Sequence, residues 1–198
     1  MAASYVYEVL LIGGRSGVGK TSIAAEVSVQ LQAASVPHCL IEGDALSAAY
    51  PPPPGDPHRT RLAEENLAAI WRNYTALGYR RLIYTNTVSV LESDMIARAM
   101  GGATRVTGVL LTASDGATYQ RLAARENGSE LRSHLSRSAD MSQRLDAETP
   151  AWVVRVPTDG RSVLGIAHEV IAASHWTLLP ERVTQASPRR SAAWPGRE

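Results

Sequence analysis

Lysine is nearly missing from this chain: of its 20 basic residues only Lys20 is a lysine, and every other one is arginine. Cysteine is as scarce. Cys39 stands alone, which excludes an internal disulfide framework and fits a reducing compartment, the cytoplasm. A charge excess of either sign is also absent. The 20 basic residues meet 19 acidic ones, so neither a nucleic-acid coat nor a polybasic membrane patch is expected. No apolar run approaches the roughly 18 residues that span a bilayer. The opening "MAASYVYEVLLIGG" lacks a basic leader and a small-residue cleavage site, and reads as a buried strand instead of a signal peptide. Expected partners are therefore small molecules, with no nucleic acid and no membrane; a homodimer stays open.

The 198 residues suit one domain able to bury a core without metals or disulfides. Strand-like and helix-like segments alternate along it. "YVYEVLLIG" is a strand, and "KTSIAAEVSVQLQAA" sets Ile23, Val27 and Leu31 at helical spacing. "PHCLIEGD" is a second strand; the following helix carries Leu62, Leu67, Ile70, Tyr74 and Leu77 as its apolar stripe and closes at Gly78. "YRRLIYTN", "TRVTGVLLTA" and "AWVVRVP" supply three more strands, separated by helices over "VSVLESDMIARAM" and "SDGATYQRLAARE", the second capped by Ser114 or Asp115. A helix over "RSVLGIAHEVIAAS" closes the order. Parallel neighbours need crossover connections, so the expectation is a doubly wound, five-stranded parallel α/β sheet flanked by helices, in one domain over residues 1–177. The polar "NGSELRSHLSRSADMSQRLD" has no clean buried face and is read as a small lid over about 126–145; residues 178–198 are read as a mobile tail.

"GRSGVGKT", residues 14–21, satisfies G-x-x-x-x-G-K-[ST] at each fixed position, between a strand and a helix. Glycines let successive backbone N–H groups turn inward onto a phosphate, and the helix start adds its positive dipole end. Gly14, Arg15, Ser16, Gly17, Val18, Gly19, Lys20, Thr21 and Ser22 are thus the expected nucleotide-binding run. Lys20 reaches the β- and γ-phosphates and the Thr21 hydroxyl is the Mg²⁺ ligand. This motif marks a P-loop (Walker A) nucleotide-binding protein. A guanine-reading Asn/Thr-Lys-x-Asp is missing, since the nearest string, "TASD", has no lysine. An acidic Walker B pair is missing too, because "LIYTN" ends in Thr85 and Asn86.

A second landmark, "LIEGDAL", ends a strand in Glu42-Gly43-Asp44, at the carboxyl edge where open α/β sheets bind ligands. Asp44 can orient or deprotonate an attacking hydroxyl, hold Mg²⁺ through water, or simply cap the next short helix. Together, "GGRSGVGKT" and "LIEGDAL" resemble the P-loop small-molecule kinases related to gluconate kinase, adenylylsulfate kinase, chloramphenicol phosphotransferase and shikimate kinase. The resemblance covers most of residues 5–173 and implies ATP- and Mg²⁺-dependent transfer of the γ-phosphate to a small-molecule hydroxyl, with Lys20, Asp44 and Arg125 catalytic. It also implies lid arginines on the phosphates, for which Arg121 and Arg125, with Arg137 beyond, are the matching residues, and an adenine edge at Thr158 and Asp159 in "PTDG". The acceptor pocket is expected from Glu42, Asp44, Arg59, Thr85 and Asn86, with Tyr50, His58, Asn66, Trp71 and Tyr74 around it. That lining suits a sugar, a nucleoside or an antibiotic-like metabolite. His58 and His134 are read as surface residues. A nucleotide-binding switch acting through a protein partner, and a nucleotide kinase, remain as alternatives; ATP against GTP is not decided.

Overall fold

A computed structural model describes residues 6–124 and 129–176; Arg125, the whole expected tail and the first residues of the expected lid fall outside them. The chain runs β1 (Tyr7–Gly13), α1 (Lys20–Ala33), β2 (Cys39–Glu42), a 3₁₀ turn (Gly43–Ser47), α2 (Thr60–Ala76), β3 (Arg81–Thr85), α3 (Ser93–Ala99), β4 (Thr104–Thr112), α4 (Asp115–Ala123), α5 (Ser129–Glu148), β5 (Val154–Pro157) and α6 (Val163–Ser174). The five strands form one sheet in the order β2-β3-β1-β4-β5, every pairing parallel. This is the doubly wound architecture expected from the strand–helix alternation. Among the described residues no helix is long and apolar enough to cross a membrane.

β1 lies at the centre and shows why both faces are covered. Side chains alternate along a strand, so Val9 and Leu11 pack on one face with Leu67, Trp71 and Ile96, while Leu10 and Ile12 pack on the other with Ile23, Val27 and Val170. All four β1 residues are at most 1% exposed. Register then aligns the strand ends. Ile12 pairs with Thr85 and Val109, and Glu42 pairs with Thr85, which brings the loops after β1, β2 and β3 to one edge. The chain leaves β1 toward β2 and returns past it from β3 to β4, so the order reverses beside β1 at that edge. At the sheet's other extreme, Cys39 on the edge strand β2 is buried, its Sγ donating to the Arg81 carbonyl at 3.4 Å; burial pushes its thiol up to about 12.

Several elements differ from the sequence expectation. Leu77 lies past the end of α2 and is 77% exposed; the buried positions of that helix are Ala63, Leu67 and Trp71. Its N-terminus is secured by Asp56, whose Oδ2 accepts the Leu62 N–H at 3.0 Å. The expected helix from Val88 begins only at Ser93, after a turn that buries Val90. The polar stretch expected to lack a buried face differs most: most of it is α5, a 20-residue helix. Leu145 and Ser138 are buried on it and Met141 packs against the core, so it does have a buried face. Ser138 interrupts that stripe with a hydroxyl, which is why the stripe does not read as apolar.

Candidate functional site

The loop between β1 and α1 wraps a cavity of about 210 Å³ lined by Ser16, Gly17, Gly19, Lys20, Thr21, Ser22, Leu122 and His134. Gly17 takes a φ of +87°, and a Cβ there would sit 2.9 Å from the Thr118 methyl, so both backbone conformation and space require glycine. Lys20, the first residue of α1, reaches back over the loop: its Nζ donates to the carbonyls of Gly14 at 2.7 Å and Arg15 at 3.3 Å. Burial lowers its pKa, while the Asp44 carboxylate and then that of Glu42 push it back up. The Thr21 and Ser22 hydroxyls line the same cavity from the first turn of α1. No cluster of three His, Cys, Asp or Glu side chains suited to a metal occurs among the described residues. The donor set here, one Thr hydroxyl beside an anion cavity with Asp44 across from it, fits a Mg²⁺ held largely by phosphate oxygens and water.

Arg15 and Arg121, which have described side chains beside the loop, are both bonded to protein groups. Arg15 is 5% exposed and donates to Asp115 Oδ1 at 2.6 Å and the Ala113 carbonyl at 2.7 Å, so its guanidinium fastens the loop to the start of α4 and does not line the loop cavity. Arg121 donates to the carbonyls of Gly17 and Val18 and to the hydroxyl and carbonyl of Thr158. It thereby lines a second cavity, of about 290 Å³, with Gly17, Val18, Gly19, Thr158 and Arg161. Of the expected adenine pair, Thr158 lines this cavity and Asp159 does not. Asp159 Oδ2 accepts the Ser114 N–H at 2.8 Å, and Ser114 caps α4 through the Ala117 N–H. Hydrogen bonding to the Ser114 hydroxyl and then to its N–H, with Arg121 and Arg15 nearby, holds the Asp159 carboxyl below its usual range against an opposing effect of burial. Arg125 lies outside the described residues.

Asp44 lies in the 3₁₀ turn after β2, whose N-cap residue, Glu42, makes no side-chain cap hydrogen bond. A Cβ at Gly43 would land on the Tyr84 hydroxyl and 3.1 Å from Cβ of Asn86, so only glycine lets the turn settle on the end of β3. The Tyr84 side chain is fully buried and, among the described residues, its hydroxyl makes no well-formed hydrogen bond, with Asn86 beside it. Burial pushes that phenol up to about 12; Asn86 beside it opposes the shift, while Glu92 and Asp44 add to it. Glu92, just before α3, is raised chiefly by burial, with Arg144 of α5 opposing and Asp44 adding. Sequence reasoning passed over both: Tyr84 reads as a strand residue, and Glu92 as part of a helix. Their common signal is position, at and just beyond the end of β3.

The remaining acceptor residues divide. Asn86 is half-buried beside Gly43, and Thr85 is 4% exposed at the end of β3. Arg59 holds the proline loop instead, its Nε donating to the Ala49 carbonyl at 2.8 Å. Asn66 ties α2 to the 3₁₀ turn through the Leu46 carbonyl. Trp71 belongs to the core, with its Nε1 donating to the Met100 carbonyl and its ring edge-on to Tyr7; Tyr74 packs against the same cluster, and Tyr50 is 94% exposed. The aromatic lining expected from α2 is therefore not there. His58 is exposed as expected, whereas His134 joins the loop cavity.

Solved structures share this fold. A gluconokinase from Sinorhizobium meliloti 1021 matches with a TM-score of 0.53 at 20% identity, over 85% of this chain and 91% of that one. A sugar kinase from Janibacter sp. HTCC2649 matches at 0.57 and 17% identity over 84% and 93%, and the tunicamycin resistance protein of Deinococcus radiodurans at 0.57 and 19% over 84% and 94%. No protein-family model and no curated protein matches the sequence. The fold is that of the P-loop small-molecule kinases.

Proposed function

We propose that this chain is a kinase that moves the γ-phosphoryl group of ATP to a hydroxyl of a small molecule. The observation that carries this is the pairing of two opposed ends in one site: an anion cavity built by the loop, Lys20 and the start of α1, and a carboxylate, Asp44, close enough to act on the Lys20 charge. Loop N–H groups and Lys20 hold the phosphate chain and stabilise charge on the transferring group. Thr21 would be the protein ligand of a Mg²⁺ that would neutralise phosphate charge. Asp44 orients the acceptor hydroxyl and accepts its proton as the new O–P bond forms and the bond to the ADP oxygen breaks. The 290 Å³ cavity beside Arg121 and Thr158 is where the base would lie.

The acceptor end carries Glu42, Asp44 and Glu92 against Arg144, and Arg144 is also engaged with Glu148 at 3.0 Å. This balance disfavours a carboxylate or phosphate on the acceptor and favours a hydroxyl-rich, uncharged one, a sugar, a nucleoside or an antibiotic-like metabolite. The kinase and resistance-protein neighbours are consistent with that range. The buried lone thiol and the need for ATP suit the cytoplasm. ADP release should be measured with MgATP alone and with a panel of hydroxylated metabolites: acceptor-dependent release is expected, and hydrolysis stimulated only by a protein partner would overturn the proposal. Asp44→Asn should lower kcat at least a hundredfold with little change in ATP affinity; a loss confined to Mg²⁺-nucleotide binding would give Asp44 a metal role instead.

A further inference from the structure

We propose that the cavity beside Arg121 and Thr158 favours a purine with a carbonyl at C6, so that the chain holds GTP at least as tightly as ATP, and that Arg161 is the selecting residue. This rests on the nucleotide-site reading above. A base is recognised along its edge, where guanine presents a carbonyl oxygen that accepts and adenine presents an amino group that donates. The wall it meets decides which of the two fits. Among the described residues that wall is built of donors: the cavity, of about 290 Å³, has four polar side chains in its lining, Ser22, Arg121, Thr158 and Arg161, and neither a carboxylate nor a carboxamide. Ser22 also lines the loop cavity, on the phosphate side.

The acceptors around the cavity are already engaged. Arg121 donates to the carbonyls of Gly17, Val18 and Thr158, and Arg161 Nη1 donates to the Pro157 carbonyl at 3.0 Å. The Thr158 hydroxyl accepts from Arg121 Nη1 at 2.9 Å, which leaves its own proton to be donated. Arg161 is the less committed of the two arginines. Its Nη2 donates to Glu169 Oε2 of α6 at 2.6 Å, and its remaining N–H groups have no partner among the described residues. Glu169 does not itself line the cavity, so it anchors the guanidinium without offering an acceptor to the base. A guanidinium only donates. It can therefore bond the C6 carbonyl of guanine or hypoxanthine, whereas the amino group of adenine sets N–H against N–H.

Calorimetric titration of the full chain with non-hydrolysable analogues of ATP, GTP and ITP in excess Mg²⁺ tests this. The GTP and ITP analogues share the C6 carbonyl and differ in the 2-amino group, and both are expected to bind at least as tightly as the ATP analogue. Arg161→Met should weaken those two about tenfold, the scale of one hydrogen bond from a charged group, and leave the ATP analogue within about twofold. Arg161→Gln, which adds a carbonyl able to accept from an amino group, should turn the preference toward ATP. Each preference is a ratio taken on one preparation, so partial loss of folded protein does not move it. Tighter binding of the ATP analogue than of either other one, or a ratio that Arg161→Met leaves unchanged, would overturn the inference. Lys20→Ala separates the two readings. If it weakens all three analogues alike while Arg161→Met leaves the ratio unchanged, only the base selectivity falls; if it binds all three as the wild type does, the phosphate site itself is wrong.

Discussion

At the scale of single residues, the most informative side chains were those whose chemistry the chain uses once. Lys20 is the sole lysine, and it occupies the one position where a compact ammonium on a flexible stem must reach over a ring of backbone groups; a planar guanidinium would fill that space badly. Lys20→Ala should cut transfer by orders of magnitude while circular dichroism stays unchanged. Tyr84 illustrates what a sequence hides. Within "LIYTN" it is one more β-former, and only the parallel register with β2 brings its hydroxyl under Gly43. Because that buried hydroxyl makes no well-formed hydrogen bond among the described residues, Tyr84→Phe should leave stability unchanged or raise it by about 1 kcal/mol in denaturant titrations. Gly43→Ala, which drives a methyl into the same spot, should instead cost about 1–3 kcal/mol and lower acceptor-dependent turnover.

At the scale of elements, β1 and the loop after it were readable because strand period, glycine spacing and helix start all agree there. α5 was not, since its inward face serves a polar surface. Ser138 meets a loop carbonyl and His134 the loop cavity, so polarity marks contact here, where pattern reading takes it for solvent. The contact that secures the start of α2 was hidden for a related reason: Asp56 lies amid prolines, six residues before the N–H it accepts. The Leu62 N–H, helped by those of Arg61 and Thr60, holds its carboxyl below the usual range against an opposing effect of burial. A depressed folded pKa contributes stability above the unfolded value, near 4, that is lost as pH falls through the folded value. Asp56→Ala should therefore lower Tm at pH 7 and flatten the acid limb of a Tm-against-pH curve below about pH 4; an unchanged acid limb would show that the contact contributes nothing.

At the scale of the whole molecule, the alternation of strands and helices gave the layers, but not which strands would be neighbours. Inserting β3 between β1 and β2 is what sets Thr85, Asn86 and Tyr84 between the phosphate loop and Asp44. Since the nucleotide would bridge loop, α4 and α5, MgADP at about 100 times its Kd should add about 2.7 kcal/mol and raise Tm by several degrees, an effect lost in Lys20→Ala. The edge strand offers an independent gauge. Cys39 is the only thiol, is shut away between β2 and β3, and holds its proton up to about pH 12, so a disulfide reagent at neutral pH can reach a reactive thiolate only when β2 lifts from the sheet. The time course of that single modification would report how often the strand leading to Asp44 peels away from β3, with no probe added to the protein.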